Sequence, residues 1–277
     1  MSFMRSNTLS GLLIILLLAS AACTSQTISV ASTPVSHSKT LTVLAAASLT
    51  ESFTEIGKLF ETRNPGIKVV FNFAGSQQLA QQLAQGAQAD VFASASMKYS
   101  DVAVTANRVS RADVNVFARN RLVVVYPKKN PGGLKALTDL AKPGLKLVLA
   151  DKSVPVGQYA LDFFDKAAKD PAFDSTFKEN VMKNVVSYEE SVKAVLIKVS
   201  LAEADAGIVY VTDITPDAAQ KVDKIDIPDA LNTIATYPIA PISDSRSPDL
   251  AKAFIALVLS PEGQAILTRY GFIPASE

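Results

Sequence analysis

Short apolar runs alternate with amphipathic stretches along most of this chain, and that alternation limits the fold more than any single motif does. Leu41 to Ala46 reads as a strand and leads into a helix from Thr50, on which Phe53, Ile56, Leu59 and Phe60 share one face. Asn64-Pro65-Gly66 breaks the helix by turn chemistry, and a second strand runs from Ile67 to Phe73. The next helix opens at Ser76, with Leu79 and Leu83 four apart, and Asp90 to Ala93 forms another short strand. Strands alternating with helices predict an α/β protein with mostly parallel sheets.

The pattern restarts at Arg121. "RLVVVYP" and "LKLVLAD" (145–151) read as strands of a second sheet, and helical periodicity covers Tyr159 to Lys169 and Glu189 to Leu201. "DAGIVYVTD" (205–213) is a further apolar strand. After Tyr237-Pro238 the chain returns through "IAPI" to a helix from Ser247 to Leu259 and a last short helix within "SPEGQAILTRYGF" (260–272). The expected architecture is two Rossmann-like α/β lobes joined by crossings near Asn120 and Tyr237. Residues 41–120 and 238–277 would build lobe 1, and residues 121–237 lobe 2.

Ahead of this body, Arg5 precedes the apolar run "GLLIILLLASAAC" (11–23), which is short for a membrane span. A charged start, an apolar centre and small residues predict an export signal over residues 1–22. The single cysteine, Cys23, follows Ala21-Ala22 as in the leader of bacterial lipoproteins, although Ser20 stands where Leu is usual. An ordinary signal peptide with an incidental Cys23 is the alternative. Residues 23–40 are Ser/Thr-rich and aperiodic, which reads as a tether behind a lipid anchor. Removing Arg5 with the leader leaves 26 acidic residues balanced by as many basic ones. That balance argues against nucleic acid and against a polybasic membrane surface.

Four strand-to-helix corners and one strand end carry the chemistry. In "AAASLTE", Ser48 and Glu51 have capping-box spacing, or else Ser48 and the helix amides face an anion. "FAGSQQLA" offers the same choice at Ser76, with Gly75 permitting the tight turn. In "DKSVPVGQYA" (151–160) the amide around Val156 can point into a cleft. Ser187 and Glu190 again have capping-box spacing, which places Val192 in a first helical turn. Tyr210 ends an apolar strand, as a core aromatic or a ligand contact. A serine hydrolase needs a base, and the only histidine, His37, lies in the tether, so an enzyme is not expected.

The order and spacing of "VLAAASLTESF", "FAGSQQLAQQL", "GAQADVFASA", "RLVVVYPK", "VPVGQYA", "EADAGIVYVTD" and "SPEGQAILTRYGF" resemble the periplasmic molybdate-binding proteins of ABC transporters, across nearly all of residues 41–273. The resemblance implies the type II bilobed binding-protein fold and a ligand, molybdate or tungstate, with no cofactor and no direct protein–metal bond. It implies Ser48, Ser76 and Tyr210 as side-chain donors and Val156 and Val192 as main-chain donors. Gly75 and Gln77 stand where relatives carry further serines, so no extra hydroxyls are expected there. The implied partners are a permease and an ATPase, and the implied site of action is the periplasm or the outer face of the cytoplasmic membrane, with the chain a monomer. Neutral donors suit an anion with no proton to return, and none of the corners carries an inward-pointing Lys or Arg (Lys152 precedes its corner). Alternatives of the same class are sulfate or phosphonate capture; an exported sensor or adhesin module is a further one.

Overall fold

The computed structural model describes residues 39–275. The expected signal peptide, Cys23 and the tether up to Ser38 lie outside the described residues. Lys39 and Thr40, expected to end the tether, instead begin the first strand.

Strand β1 (Lys39–Ala46) passes through a single 3-10 turn, Ala47–Leu49, into helix α1 (Thr50–Arg63). Phe53, Ile56 and Phe60 are buried on one face of α1, as their spacing requires. Strand β2 (Ile67–Ala74) turns at Gly75 into α2 (Ser76–Ala84), and β3 (Val91–Ala93) leads to α3 (Met97–Thr105). The chain then runs from β4 (Asn115–Asn120) directly into β5 (Leu122–Pro127). Beyond them lie β6 (Leu147–Ala150), α4 (Pro155–Ala167), α5 (Phe177–Lys183), β7 (Val185–Glu189) and α6 (Val192–Ser200). Strands β8 (Ala206–Tyr210), β9 (Val222–Asp226) and β10 (Ala235–Pro241) follow. Helices α7 (Pro248–Leu259) and α8 (Pro261–Arg269) and the short β11 (Ile273–Pro274) complete the described chain.

These strands form two sheets, ordered β11-β4-β10-β3-β1-β2 and β7-β6-β8-β5-β9. Both are mixed, which corrects the mostly parallel expectation. Parallel pairs join β1 to β2 and β3, and β6 to β7 and β8, where helical crossovers return the chain. Strands β4, β10, β5 and β9 pair antiparallel, because they carry the chain out of one sheet and back from the other. Asn120 ends β4 in the six-stranded sheet and Leu122 begins β5 in the five-stranded one. On the return, Ala235 already pairs with Asn120, upstream of Tyr237, and the register shifts at Tyr237/Pro238. Pro238 has no N–H to give the ladder, which accounts for an irregularity at that position.

Phe53, Phe60 and Phe254 pack edge-on under the six-stranded sheet, and Phe163, Phe164 and Phe177 cluster beside the five-stranded one. The helices missed by periodicity, α3 and α5, are short, and β7 and β9 alternate mostly half-buried with exposed residues, too weakly to stand out.

Candidate functional site

All five residues singled out from sequence line one small cavity: Ser48, Ser76, Val156, Val192 and Tyr210. Ala46, Ala47, Ala74, Gly75, Ala95, Val154 and Pro155 complete its wall, and none of these lining residues is charged. The centre of a water-sized sphere can move through about 10 Å³ inside it. The free space is therefore that of a sphere roughly 2.7 Å in radius, allowing 1.4 Å for the water itself. Such a space has the scale of a compact ion of a few atoms. A larger groove of about 470 Å³ lies near Arg121, Lys224, Asp226 and Asp229. Arg121 and Asp229 pair with each other there at 3.3 Å.

Local sequence explains why the walls are donors. Ser48 lies in the 3-10 turn that opens α1, Ser76 is the first residue of α2, Val156 follows Pro155 at the start of α4, and Val192 is the first residue of α6. The first N–H groups of a helix have no partner inside it, and the helix dipole adds positive potential at that end. Four such ends meet at one void. Proline at the first position of α4 removes only a donor that the helix would leave free anyway. The helix begins at Pro155 rather than at Tyr159, so Val156 sits in its first turn.

The hydroxyls are set as donors too. Ser76 Oγ accepts the N–H of Ala95 at 3.0 Å, which leaves its own proton for the cavity. Ser48 Oγ lies 2.8 Å from the Tyr237 hydroxyl. Tyr210 is buried, and its hydroxyl has no partner in hydrogen-bonding geometry among the described residues. Burial, and then the neighbouring Tyr237 phenol, push Tyr210 well above the ordinary tyrosine range, so it remains a proton donor.

Two expectations about the corners are corrected. Ser48 does not cap α1 with Glu51: its hydroxyl is engaged by Tyr237, and Glu51 reaches Lys193 at 2.8 Å. Ser187 does not open a helix, because it lies in β7, where Lys198 and Glu189 bind its hydroxyl. The cap of α6 is Ser191, whose Oγ accepts the N–H of Ala194 at 3.3 Å. The short helix-like spacing was real, but four residues too early.

Contacts missed by sequence reading close the cleft around the cavity. Gln77 Nε2 donates to the Glu190 carbonyl at 2.9 Å, and Gln78 Nε2 to the Glu190 carboxylate at 2.9 Å. Lys193, immediately after Val192, also meets Asp213 at 3.3 Å. Burial works against the charge of Lys193, but Asp213 and Glu51 outweigh it and hold the ammonium above its ordinary value. Lys193 is thus a cation close in sequence to the site but spent on carboxylates, and it does not line the cavity. Tyr99 donates to the Ser153 carbonyl, and Tyr159 to the Ala95 carbonyl at 3.5 Å. The Lys193–Asp213 pair lies beside the five-stranded sheet, whereas Lys193–Glu51 and the glutamine and tyrosine contacts each join a segment flanking the six-stranded sheet to one flanking the five-stranded sheet. Capping-box spacing at Glu51 and Glu190 concealed these partners, because a distant lysine or glutamine leaves no local signal.

The molybdate-binding protein ModA of Mycobacterium tuberculosis H37Rv is 39% identical over 239 residues, covering 86% of this chain and 86% of that protein. The Azotobacter vinelandii periplasmic molybdate-binding protein superposes with a TM-score of 0.72 at 18% identity, covering 84% of this chain and 98% of that one. The sulfate-binding protein SubI of Mycobacterium tuberculosis H37Rv superposes at 0.76 and 17% identity, covering 86% and 87%. At such identities these two structures speak for the fold alone, which is the two-sheet α/β binding-protein fold expected from sequence. Residues 41–273 match the family model of the bacterial extracellular solute-binding proteins, and the chain belongs to that family.

Proposed function

We propose that this chain captures molybdate, and tungstate with it, outside the cytoplasm and hands it to the permease and ATPase of an ABC transporter. The observation that carries this reading is the meeting of four helix starts and three hydroxyls on a cavity without a charged wall residue. A dianion taken out of water needs compensation. Here Ser48, Ser76 and Tyr210 supply hydroxyls, and Val156 and Val192 supply main-chain N–H groups. A hydrogen bond to a charged acceptor contributes about 1.5–3 kcal/mol, so a handful of them sustains tight binding after the cost of ordering. The absence of a wall carboxylate suits an anion that has no proton to donate.

The expected return at Tyr237 moves back to Ala235, which already pairs in the six-stranded sheet; residues 39–120 and 235–275 act as one lobe and residues 121–234 as the other, closing by a hinge at the two crossings. Cys23 carries the lipid that holds the protein, as a monomer, at the outer face of the cytoplasmic membrane. Sulfate is the second reading, because an uncharged wall of donors also suits that dianion; the smaller ion would fill the donor cage less well.

Calorimetric titration of the protein lacking its leader with molybdate, tungstate, sulfate and phosphate tests the assignment. Submicromolar binding of the first two with little heat from the others is expected. A response to sulfate alone keeps the transport role and discards the ligand, and silence with all four discards both. X-ray scattering should show compaction on adding molybdate.

A further inference from the structure

We propose that Asn120 and Tyr237, which do not line the cavity, fix the direction of the Ser48 hydroxyl and so make the site discriminate against anions that carry a proton. The proposal rests on Ser48 being a donor to the bound anion.

The direction is set step by step from the hinge. Asn120 is fully buried at the end of β4, and its Oδ1 accepts the N–H of Arg121 at 2.9 Å. That contact fixes the amide, because the opposite orientation would set two donors against each other. Its Nδ2 group then donates to Thr212 Oγ1 at 2.8 Å and to the Tyr237 hydroxyl at 3.3 Å. Tyr237 is also fully buried, and its oxygen therefore already receives one proton from Asn120.

The single proton of Tyr237 has two oxygens near it. Among the described residues the Tyr210 hydroxyl has no partner in hydrogen-bonding geometry, and its nearness to Tyr237 raises Tyr210 itself, as for a donor, so it does not accept. Ser48 Oγ, at 2.8 Å, does. Burial pushes the Tyr237 phenol far above the ordinary tyrosine range, so the proton is present throughout the working pH range. Ser48 thus accepts from Tyr237 and has its own proton left for the cavity it lines.

The reverse arrangement would have Ser48 donate to Tyr237 and accept from the ligand, as a protonated anion requires. It would leave the Tyr237 proton buried without an acceptor, a state that costs more than an ordinary hydrogen bond contributes. A bare dianion such as molybdate meets only donors and fits the wiring. Hydrogen phosphate or hydrogen arsenate brings a proton that finds no ready acceptor at Ser48. Selectivity at this wall is therefore decided by two residues on the crossing strands.

The test uses Tyr237→Phe, Asn120→Asp and Ser48→Ala in the protein lacking its leader, titrated with molybdate and with phosphate. Ser48→Ala should weaken molybdate at least about tenfold. Tyr237→Phe should weaken molybdate by about tenfold, because Ser48 loses the bond that orients it. Asn120→Asp gives the Tyr237 proton a carboxylate acceptor and frees Ser48 to turn. The added charge weakens both dianions, but the molybdate-to-phosphate affinity ratio should fall by roughly tenfold or more. A merely structural role for Asn120 would not move that ratio. Should Asn120→Asp fail to fold, Tyr237→Phe decides alone, and parental molybdate affinity in it overturns the wiring. A parental ratio in folded Asn120→Asp overturns it equally. If Ser48→Ala binds molybdate as the parent does, the site assignment itself falls, which separates the two failures.

Discussion

Replacing Tyr210 by Phe should move folding stability and ligand affinity in opposite directions. The hydroxyl is about 1% exposed with its residue and has no partner in hydrogen-bonding geometry among the described residues. A buried polar group left unmet costs about 1–3 kcal/mol, so its removal relieves the ligand-free folded state. For a chain of this size, 1 kcal/mol corresponds to roughly 2–4 °C in the unfolding midpoint. With molybdate bound, the same hydroxyl meets a charged acceptor worth about 1.5–3 kcal/mol, so its loss should weaken binding about ten- to a hundredfold. Thermal unfolding without and with ligand reads both quantities. At a molybdate concentration of 100 times the parent Kd, ligand adds about 2.7 kcal/mol to the parent, but only about 0.4 kcal/mol to a variant a hundredfold weaker. A ligand-free midpoint several degrees below the parent's, or a Kd within twofold of it by calorimetry, refutes the reasoning.

Two glycines near the cavity should behave differently when changed to alanine. A Cβ on Gly75 would lie 2.5 Å from the Glu190 carbonyl across the cleft, while the backbone there (φ −60°, ψ 138°) accepts alanine without strain. Gly75→Ala should leave the unfolding midpoint of the ligand-free protein within about 2 °C of the parent, a shift smaller than about 1 kcal/mol, yet weaken molybdate binding by calorimetry. A Cβ on Gly157 would lie 2.1 Å from the Asp151 carbonyl within the same corner, so Gly157→Ala should lower the midpoint itself by an overpacking cost of about 1–3 kcal/mol. Glu51→Gln removes one carboxylate from Lys193 while Asp213 remains. It should speed molybdate release in stopped-flow exchange with little loss of fold stability, and an unchanged release rate would show that this pair does not hold the cleft shut. Glu61 is held below the ordinary carboxylate range, first by the Val69 N–H and then by Lys68. The stability it contributes is present above its unfolded pKa and lost as pH falls through the lower folded value. The deficit of Glu61→Gln against the parent at neutral pH should therefore shrink in melts taken below about pH 4.

Patterning alone determined the α/β class, because period-2 and period-3.6 apolar spacing each bury a face only in one kind of element. It also located β1, α1, β2, α2 and α7 to within a residue or two, where turn residues and apolar faces agree. The corner residues Ser48, Ser76, Val156 and Val192 were legible as helix starts, together with Tyr210 at its strand end, though at Val192 through the wrong cap. That they share one cavity did not follow from any local signal. They lie on four different helical segments and one strand, and only the packing of two sheets brings those ends together. The antiparallel crossing strands were hidden for the same reason, since strand direction depends on which sheet the chain enters. The partners of Glu51, Glu190 and Ser48 were decided in the tertiary structure as well. Capping boxes satisfy a side chain within a few residues, whereas Lys193, Gln77, Gln78 and Tyr237 arrive from far along the chain. A hydroxyl can be read from sequence as a donor or an acceptor; which of the two it is depends on the neighbour that folding places behind it.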